Sequence, residues 1–403
     1  EAFASTAGGA LNERISADLS RYLSLRAELA NAGVLPETEM QRDIPLAGDA
    51  RRRLRDGSDP ALAQPLEEFL RLADAPELGA AGPLWYRGAI YCKPILARPE
   101  LEDALAGLDA ARIVVGHTPA KDGRVRSLYD GRLVMLDTGM LTQYFHGHPA
   151  ALILENGRLS VRYLDRPDPV APEPGRSAPY GLDEQRTLAA LAEGDATLAD
   201  DRSKSATRAT IEYAGESLEA VFYPETRRGA ADRELAAYRL DALLDFDLVP
   251  PSVDREIDGI EGTLQLRYPD QLSEAERIER RLPSGEWCPM APQLQLMYTF
   301  DLLTENAGRT RDSLQYHEQV SDLVLTDNGE AFGTDRGLPR IAEGTLTLSP
   351  AIVRALASLT EARLTEALDG ALGRRQIAAL LDRRDELIAR FGPSAEGAEG
   401  PQP

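Results

Sequence analysis

The stretch Val114-Val115-Gly116-His117-Thr118-Pro119, followed by Leu136-Asp137-Thr138-Gly139-Met140, decides how the first half of this chain is read. Arg112 to Val115 looks like a buried strand, and the Gly-His pair at its end puts an imidazole on a tight turn. A rigid strand fixes where such a side chain is presented, which is how metal-ligand histidines are usually placed. A second apolar run, Leu133 to Leu136, leads into the Asp-Thr-Gly block.

Outward from these motifs, residues 11 to 34 and 60 to 75 show helical apolar spacing, and Ala150 to Leu154 reads as a further strand. Asn156-Gly157 separates it from Leu159-Ser160-Val161-Arg162-Tyr163, and both turn residues tolerate positive φ, so a hairpin is predicted. Between Asp165 and Tyr180 stand Pro167, Pro169, Pro172, Pro174 and Pro179. Proline at that density favours extended backbone and reads as a linker. Beyond it, Thr210 to Tyr213 and Leu218 to Phe222 flank Ala214-Gly215-Glu216 as a second hairpin. A helix over 230 to 245 and strands near 249–257 and 262–267 follow. From Ser349, a plausible N-cap ahead of Pro350, the chain reads as helical to about Phe391. Gly392-Pro393 ends it, and the tail beyond is expected to be disordered.

The chain has 403 residues, 28% of them charged, and a formal net charge of −21. That charge opposes nucleic-acid binding, which depends on Lys and Arg displacing counterions from phosphates. No apolar run approaches the roughly 20 residues of a membrane span. No signal peptide is visible after Glu1, which leaves localisation open. Cys92 and Cys288 are far apart and in no metal or redox spacing, so both are expected as buried reduced thiols. His146-Gly147-His148 is expected as a surface turn ahead of Pro149.

Together with Gly82-Pro83-Leu84-Trp85-Tyr86-Arg87-Gly88, the two opening motifs resemble the calcineurin-like metallophosphoesterases, in the branch often called Shewanella-like phosphatases. The likeness covers about residues 80 to 163. It implies a β-sandwich with helices and two ions, Mn, Fe or Zn, that clamp a phosphate and activate a water. It also implies a phosphorylated substrate. His117 is the one metal ligand it carries over. Arg87 matches an arginine that faces the substrate phosphate, where a planar bidentate donor suits. Asp137 and Thr138 match the block that supports the site. The family's Asp-x-His and Gly-Asp-x-x-Asp-Arg-Gly blocks are absent, and the histidines number only four. Glu1 matches the Glu closing a Gly-Asn-His-Glu block, so the remaining ligands are expected to lie upstream. One imidazole holds no dinuclear centre. This half is expected to be inactive as it stands, with exposed sheet edges open to a protein partner or to self-association.

Residues from about 205 to 391 resemble atypical bacterial kinases of the phosphatidylinositol-kinase-like group. The likeness is carried by Glu234 to Asp241, Leu248 to Val253, Gly262 to Gln265, Phe300 to Arg309 and Leu325 to Phe332. Such folds use a strand lysine, a helix glutamate that pairs it, a catalytic-loop Asp and metal-binding side chains around Mg-ATP. The resemblance assigns the glutamate to Glu234 and the metal-binding Asp to Asp327. Asn306, Arg309 and Ser313 match the catalytic loop. Tyr223 stands where the lysine is expected and Gly308 where the catalytic Asp is expected. A lysine from a neighbouring strand, Lys204, is the one substitute in view. Losing a positioned base costs about 10²–10⁴ in rate.

The expectation is an α+β protein of two domains. Residues 1–164 form a partial metallophosphoesterase β-sandwich with helices, and 165–185 a Pro-rich linker. Residues 186–393 form a kinase-like α+β domain with a helical C-terminal lobe, and 394–403 a tail. By ancestry the function is phosphate-ester hydrolysis, with protein dephosphorylation as one form of it. The alternative is a nucleotide-binding or regulatory pseudokinase-like module.

Overall fold

The computed structural model describes residues 8–35, 52–57, 60–73, 86–176, 182–200, 206–225, 229–282, 288–317, 322–340 and 346–393. Glu1, Gly82 to Trp85, Lys204 and the 394–403 tail lie outside the described residues. The fold is mixed α+β with several separate sheets. No helix among the described residues is long and apolar enough to cross a membrane. Two compact units are present, Glu1–Arg87 and Gly88–Pro403, so the boundary expected at 164 falls inside the second.

In the first unit, α1 (Gly8–Asn31) and α2 (Ala63–Ala73) pack together. Tyr22, Leu25 and Leu29 recur at helical spacing and meet Leu66, Phe69 and Leu70. The Tyr22 and Phe69 rings stack at 5.1 Å.

The second unit opens with α3 (Gly88–Tyr91) and α4 (Pro94–Gly107), then β1 (Ile113–Val115), β2 (Arg126–Leu128) and β3 (Leu133–Met135). After a helical turn, α5 (Thr142–Phe145), come β4 (Ala150–Glu155) and β5 (Arg158–Tyr163). Asn156 and Gly157 take the positive φ values, 51° and 77°, that the hairpin turn requires. The described part of the Pro-rich stretch bends at Pro167 and Asp168, and further on it joins a sheet as β6 (Glu173–Pro174), giving the order β1-β3-β2-β6. Glu173 and Gly175 donate their N–H groups to the Val125 and Ser127 carbonyls. Pro174, which has no N–H, takes the alternate position, as an edge strand allows. Leu128, Leu133 and Met135 share a core with Ala97, Leu101 and Leu105 of α4. Val134 packs in a separate cluster with Val161 and Tyr163 of β5. Val114, on the edge strand β1, is 47% exposed.

Next, α6 (Glu184–Glu193) is capped by Asp183, which accepts the Arg186 N–H at 2.8 Å. A five-stranded antiparallel sheet is built from β7 (Asp195–Leu198), β8 (Thr207–Tyr213), β9 (Glu216–Pro224), β10 (Ser252–Ile257) and β11 (Ile260–Leu266), ordered β10-β11-β9-β8-β7. Helix α7 (Ala230–Leu244) lies against it. A smaller sheet then joins β12 (Gln271–Ser273), β13 (Leu314–His317) and β14 (Asp322–Leu325), with α8 (Glu274–Arg280) and α9 (Met290–Thr304) between its strands.

The single helical run expected after Ser349 is three helices: α10 (Pro350–Ala357), α11 (Glu361–Ala367) and α12 (Arg374–Phe391). Thr360 and Gly373 restart the helix as N-caps, with Gly370 at φ 78° in the break. Ser349 caps α10 by accepting the Ile352 N–H at 3.3 Å. Replacing it with alanine is expected to cost about 1 kcal/mol, read as a lowered thermal midpoint. No change would show the cap to be immaterial.

The cysteines correct the sequence reading. Cys92 and Cys288 form a disulfide with Cα atoms 5.2 Å apart, across a sequence separation of 196. No local spacing signals such a pair, because only the tertiary fold brings them together. Beside it, Lys93 is 1% exposed. Its ammonium donates to Asp322 Oδ2 at 2.9 Å and to the Asp247 carbonyl. Arg176 donates to Asp247 Oδ2 at 2.9 Å and to the Cys92 carbonyl. Cations from 93 and 176 thus meet acids from the 241–247 and 322 region. Burial pushes the Asp241 carboxyl up to about 8, with Asp247 adding to the rise and Lys93 drawing it back.

Candidate functional site

Helix α7 carries Glu234 inward. Thr263 on β11 fixes the start of the helix by donating its hydroxyl to the Ala231 carbonyl at 2.7 Å. Glu234 is 1% exposed, deeper than a surface residue on an amphipathic helix. Its Oε2 accepts from Asn328 Nδ2 at 3.3 Å. Burial pushes the carboxyl up to about 7, and Asp327 adds to that. The Asn328 side chain and the Asn328 and Gly329 backbone pull it back.

Tyr223 on β9 pairs in register with Thr263. Its phenol is pushed well above the ordinary range by burial, then by the charges of Glu234 and Asp327. The strand position expected for lysine therefore holds a neutral phenol that meets the charges of Glu234 and Asp327. Asp327 is exposed and sits at φ 61° on the turn that follows β14. That geometry turns the neighbouring Asn328 inward, where it is 1% exposed.

Arg309 knits the cluster together. It donates to both Asp301 oxygens at 3.1 and 2.7 Å, to the Thr326 carbonyl at 2.6 Å, and to Asn328 Oδ1 at 3.0 Å. Asp301, 2% exposed, is raised by burial and drawn down by that guanidinium. Asn306 donates to Asn328 Oδ1 at 3.4 Å and accepts the Gly308 N–H at 3.3 Å. Ser313 is 4% exposed, and its hydroxyl accepts the Thr310 N–H at 3.0 Å. Its carbonyl accepts from Thr326 at 3.3 Å. The hydroxyl is thus engaged inside its own loop. A Cβ at Gly308 would meet only Asn306 Oδ1, at 3.8 Å, so the backbone there has room for a side chain.

One network therefore runs from Glu234 through Asn328 and Arg309 to Asp301, joining a helix, a turn and a loop distant in sequence. The fold brings Tyr223, Glu234, Asn306, Arg309 and Asp327 together. Asn328 and Asp301 are the members that sequence left without a role, although both lie in quoted motifs. Among the described residues, no group of three His, Cys, Asp or Glu side chains gathers to hold a metal ion.

The raised Glu234 carboxyl gives a signed pH dependence. Its folded value of about 7 lies above the ordinary 4.5, so between those values the folded chain holds a proton that the unfolded chain has released. Stability is then lost as pH rises through that window, by roughly 3 kcal/mol for this group. Glu234→Gln is expected to flatten the urea-unfolding free energy between pH 4.5 and 7. An unchanged slope would show that the carboxyl titrates normally.

The phosphoesterase-motif residues are differently disposed. His117 is exposed at the end of β1, at φ 59°. Asp137 Oδ1 accepts the Gly139 N–H at 2.9 Å, and its carbonyl accepts the Ala120 N–H at 3.0 Å. Thr138, 1% exposed, donates its hydroxyl to the His148 carbonyl at 2.6 Å. A Cβ on Gly147 would lie 1.6 Å from the Thr138 carbonyl oxygen, so only glycine fits there. The Asp-Thr-Gly block and the His146-Gly147-His148 turn therefore lock each other. His148 Nδ1 lies 3.4 Å from Asp165. Arg87 ends the first compact unit and donates to the Tyr86 carbonyl at 3.1 Å. Among the described residues, those around His117 do not make a donor set for a dinuclear centre.

No family model matches the chain, and no curated protein does. Among solved structures, a Helicobacter pylori proinflammatory kinase, CtkA, aligns at 10% identity over 50% of this chain and 94% of that one. Its TM-score is 0.33, a likeness too shallow to argue from.

Proposed function

We propose that this chain is a kinase-like module that does not transfer phosphoryl groups and acts as a nucleotide-binding or regulatory unit. In this reading it is joined to an inactive segment of calcineurin-like metallophosphoesterase ancestry. The five-stranded sheet with α7 is its first lobe, and α9 to α12 its second. The β1–β6 layers are the remnant of the sandwich. One observation carries the proposal: Tyr223 holds the strand position beside Glu234, whose carboxylate is taken up by Asn328. A transferring phosphate there would meet two carboxylates without the lysine that normally offsets its charge.

The test pairs two measurements on the full chain. ATP with Mg²⁺ or Mn²⁺ is expected to raise the thermal midpoint, with no label incorporated from γ-labelled ATP. Metal-dependent incorporation that disappears in Asp327→Ala would overturn the proposal. Absence of any midpoint shift would overturn its nucleotide-binding half. Because Gly308 has room for a side chain, Tyr223→Lys/Gly308→Asp is expected to fold and to gain measurable transfer.

The phosphoesterase ancestry is supported by the ordered motifs around Arg87, His117 and Asp137. No hydrolysis of p-nitrophenyl phosphate is expected with Mn, Fe or Zn. Turnover that depends on added metal and is lost in His117→Ala would instead make this segment a working hydrolase.

A further inference from the structure

Lys121, Arg124, Arg166 and Arg186 line a single cleft of about 670 Å³, away from the Glu234 cluster. Lys121 and Arg124 come from the loop before β2, Arg166 from the turn after β5, and Arg186 from the first turn of α6. In a chain of net charge −21, four cations around one opening reverse the local sign of the surface. Asp122, Glu173 and Glu216 also line it. Two of these acids already face a cation that is not part of the lining. The buried Arg126 donates its Nε to Asp122 Oδ2 at 3.0 Å and lies 3.7 Å from Glu173.

Tyr163 organises the basic side. Its ring is 1% exposed, and its hydroxyl accepts the Val125 N–H at 2.7 Å. Arg124 lies 4.9 Å from the ring centroid and Arg166 5.5 Å. One aromatic plate therefore holds two guanidiniums whose like charges repel. Asp165 lies 3.9 Å from Arg124 and is shared with His148 at 3.4 Å, while Asp122 accepts the Arg124 backbone N–H at 3.2 Å. Arg124 Nη1 is buried without a hydrogen bond among the described residues. Planar guanidinium forks suit the paired oxygens of a phosphate, and an anion bound in the cleft would offset both positive charges.

We propose that this cleft binds a small phosphate-bearing anion. Arg124 and Arg166 take the phosphate oxygens, and Lys121 and Arg186 supply the flanking charge. Inorganic pyrophosphate, titrated into the full chain by calorimetry without divalent metal and at matched ionic strength, tests it. Saturable binding is expected, weakened at least about tenfold in Arg166→Gln and in Arg186→Gln. Arg186 is exposed, so its replacement leaves the fold intact. Arg239→Gln, which removes a bond to the Asp369 carbonyl and lies outside the cleft lining, is expected to bind as the wild type does. Absence of saturable binding, or equal affinity in the two cleft variants, would overturn the proposal. So would binding that is lost in Asp327→Ala, because the anion would then belong to the kinase-like cluster.

Discussion

In urea, the Lys93→Met variant is expected to lose about 3–5 kcal/mol of stability relative to the wild-type chain. The figure follows from which partner is removed. Lys93 is 1% exposed, and Asp322 keeps only 16% of its side-chain surface. Burial, and after it the charge of Asp247, raises the Asp322 carboxyl, and Lys93 is the first influence that lowers it. Removing the ammonium leaves Arg176 as the remaining cation named among the described residues to offset that carboxylate, against the charge of Asp247. Asp241 loses a compensating charge at the same time. These acids would then take up protons, so the loss should shrink as pH falls. Replacing both partners, as in Lys93→Met/Asp322→Leu, should recover most of it, because a buried pair is dearer to break than to exchange for apolar groups. A loss below about 1 kcal/mol, or one that does not vary with pH, would show that the ammonium is reached by water.

Reduction of the disulfide is expected to cost about 2–5 kcal/mol, with chain entropy for so long a loop placing it near the top of that range. Tris(2-carboxyethyl)phosphine should lower the wild-type thermal midpoint and leave Cys92→Ser/Cys288→Ser unmoved at the lower value. If reductant does not shift the wild type, the thiols are free in solution, as their spacing suggested. Such a bond persists in an oxidising compartment, so the same experiment bears on where the protein works.

Much of the local structure was legible. The Asn156-Gly157 hairpin, the Ala214-Gly215 turn and the Ser349 cap each rest on a backbone preference within a few residues. That Asn306, Arg309 and Asp327 share one cluster was an expectation of the kinase resemblance alone, not of residue spacing. Long-range partnerships were not legible. Nothing near Glu234 announces that Asn328, 94 positions later, will occupy its carboxylate. Nothing near Lys93 points to Asp322, 229 positions away. The strands β12 and β14 have three or four residues, too few for a periodic signal. The Pro-rich stretch read as a spacer because composition reports stiffness, whereas β6 depends on an open sheet edge that only folding supplies.

The bond between Cys92 and Cys288 closes the backbone into a covalent ring. The β-layers around His117, the Pro-rich stretch and the whole five-stranded sheet with α7 lie on that ring. One cut by a protease anywhere between residues 93 and 287 would open the ring without releasing a fragment. The nicked protein would run as a single species on a non-reducing gel and as two pieces once reduced. The chain is built so that a first proteolytic hit leaves its parts tethered.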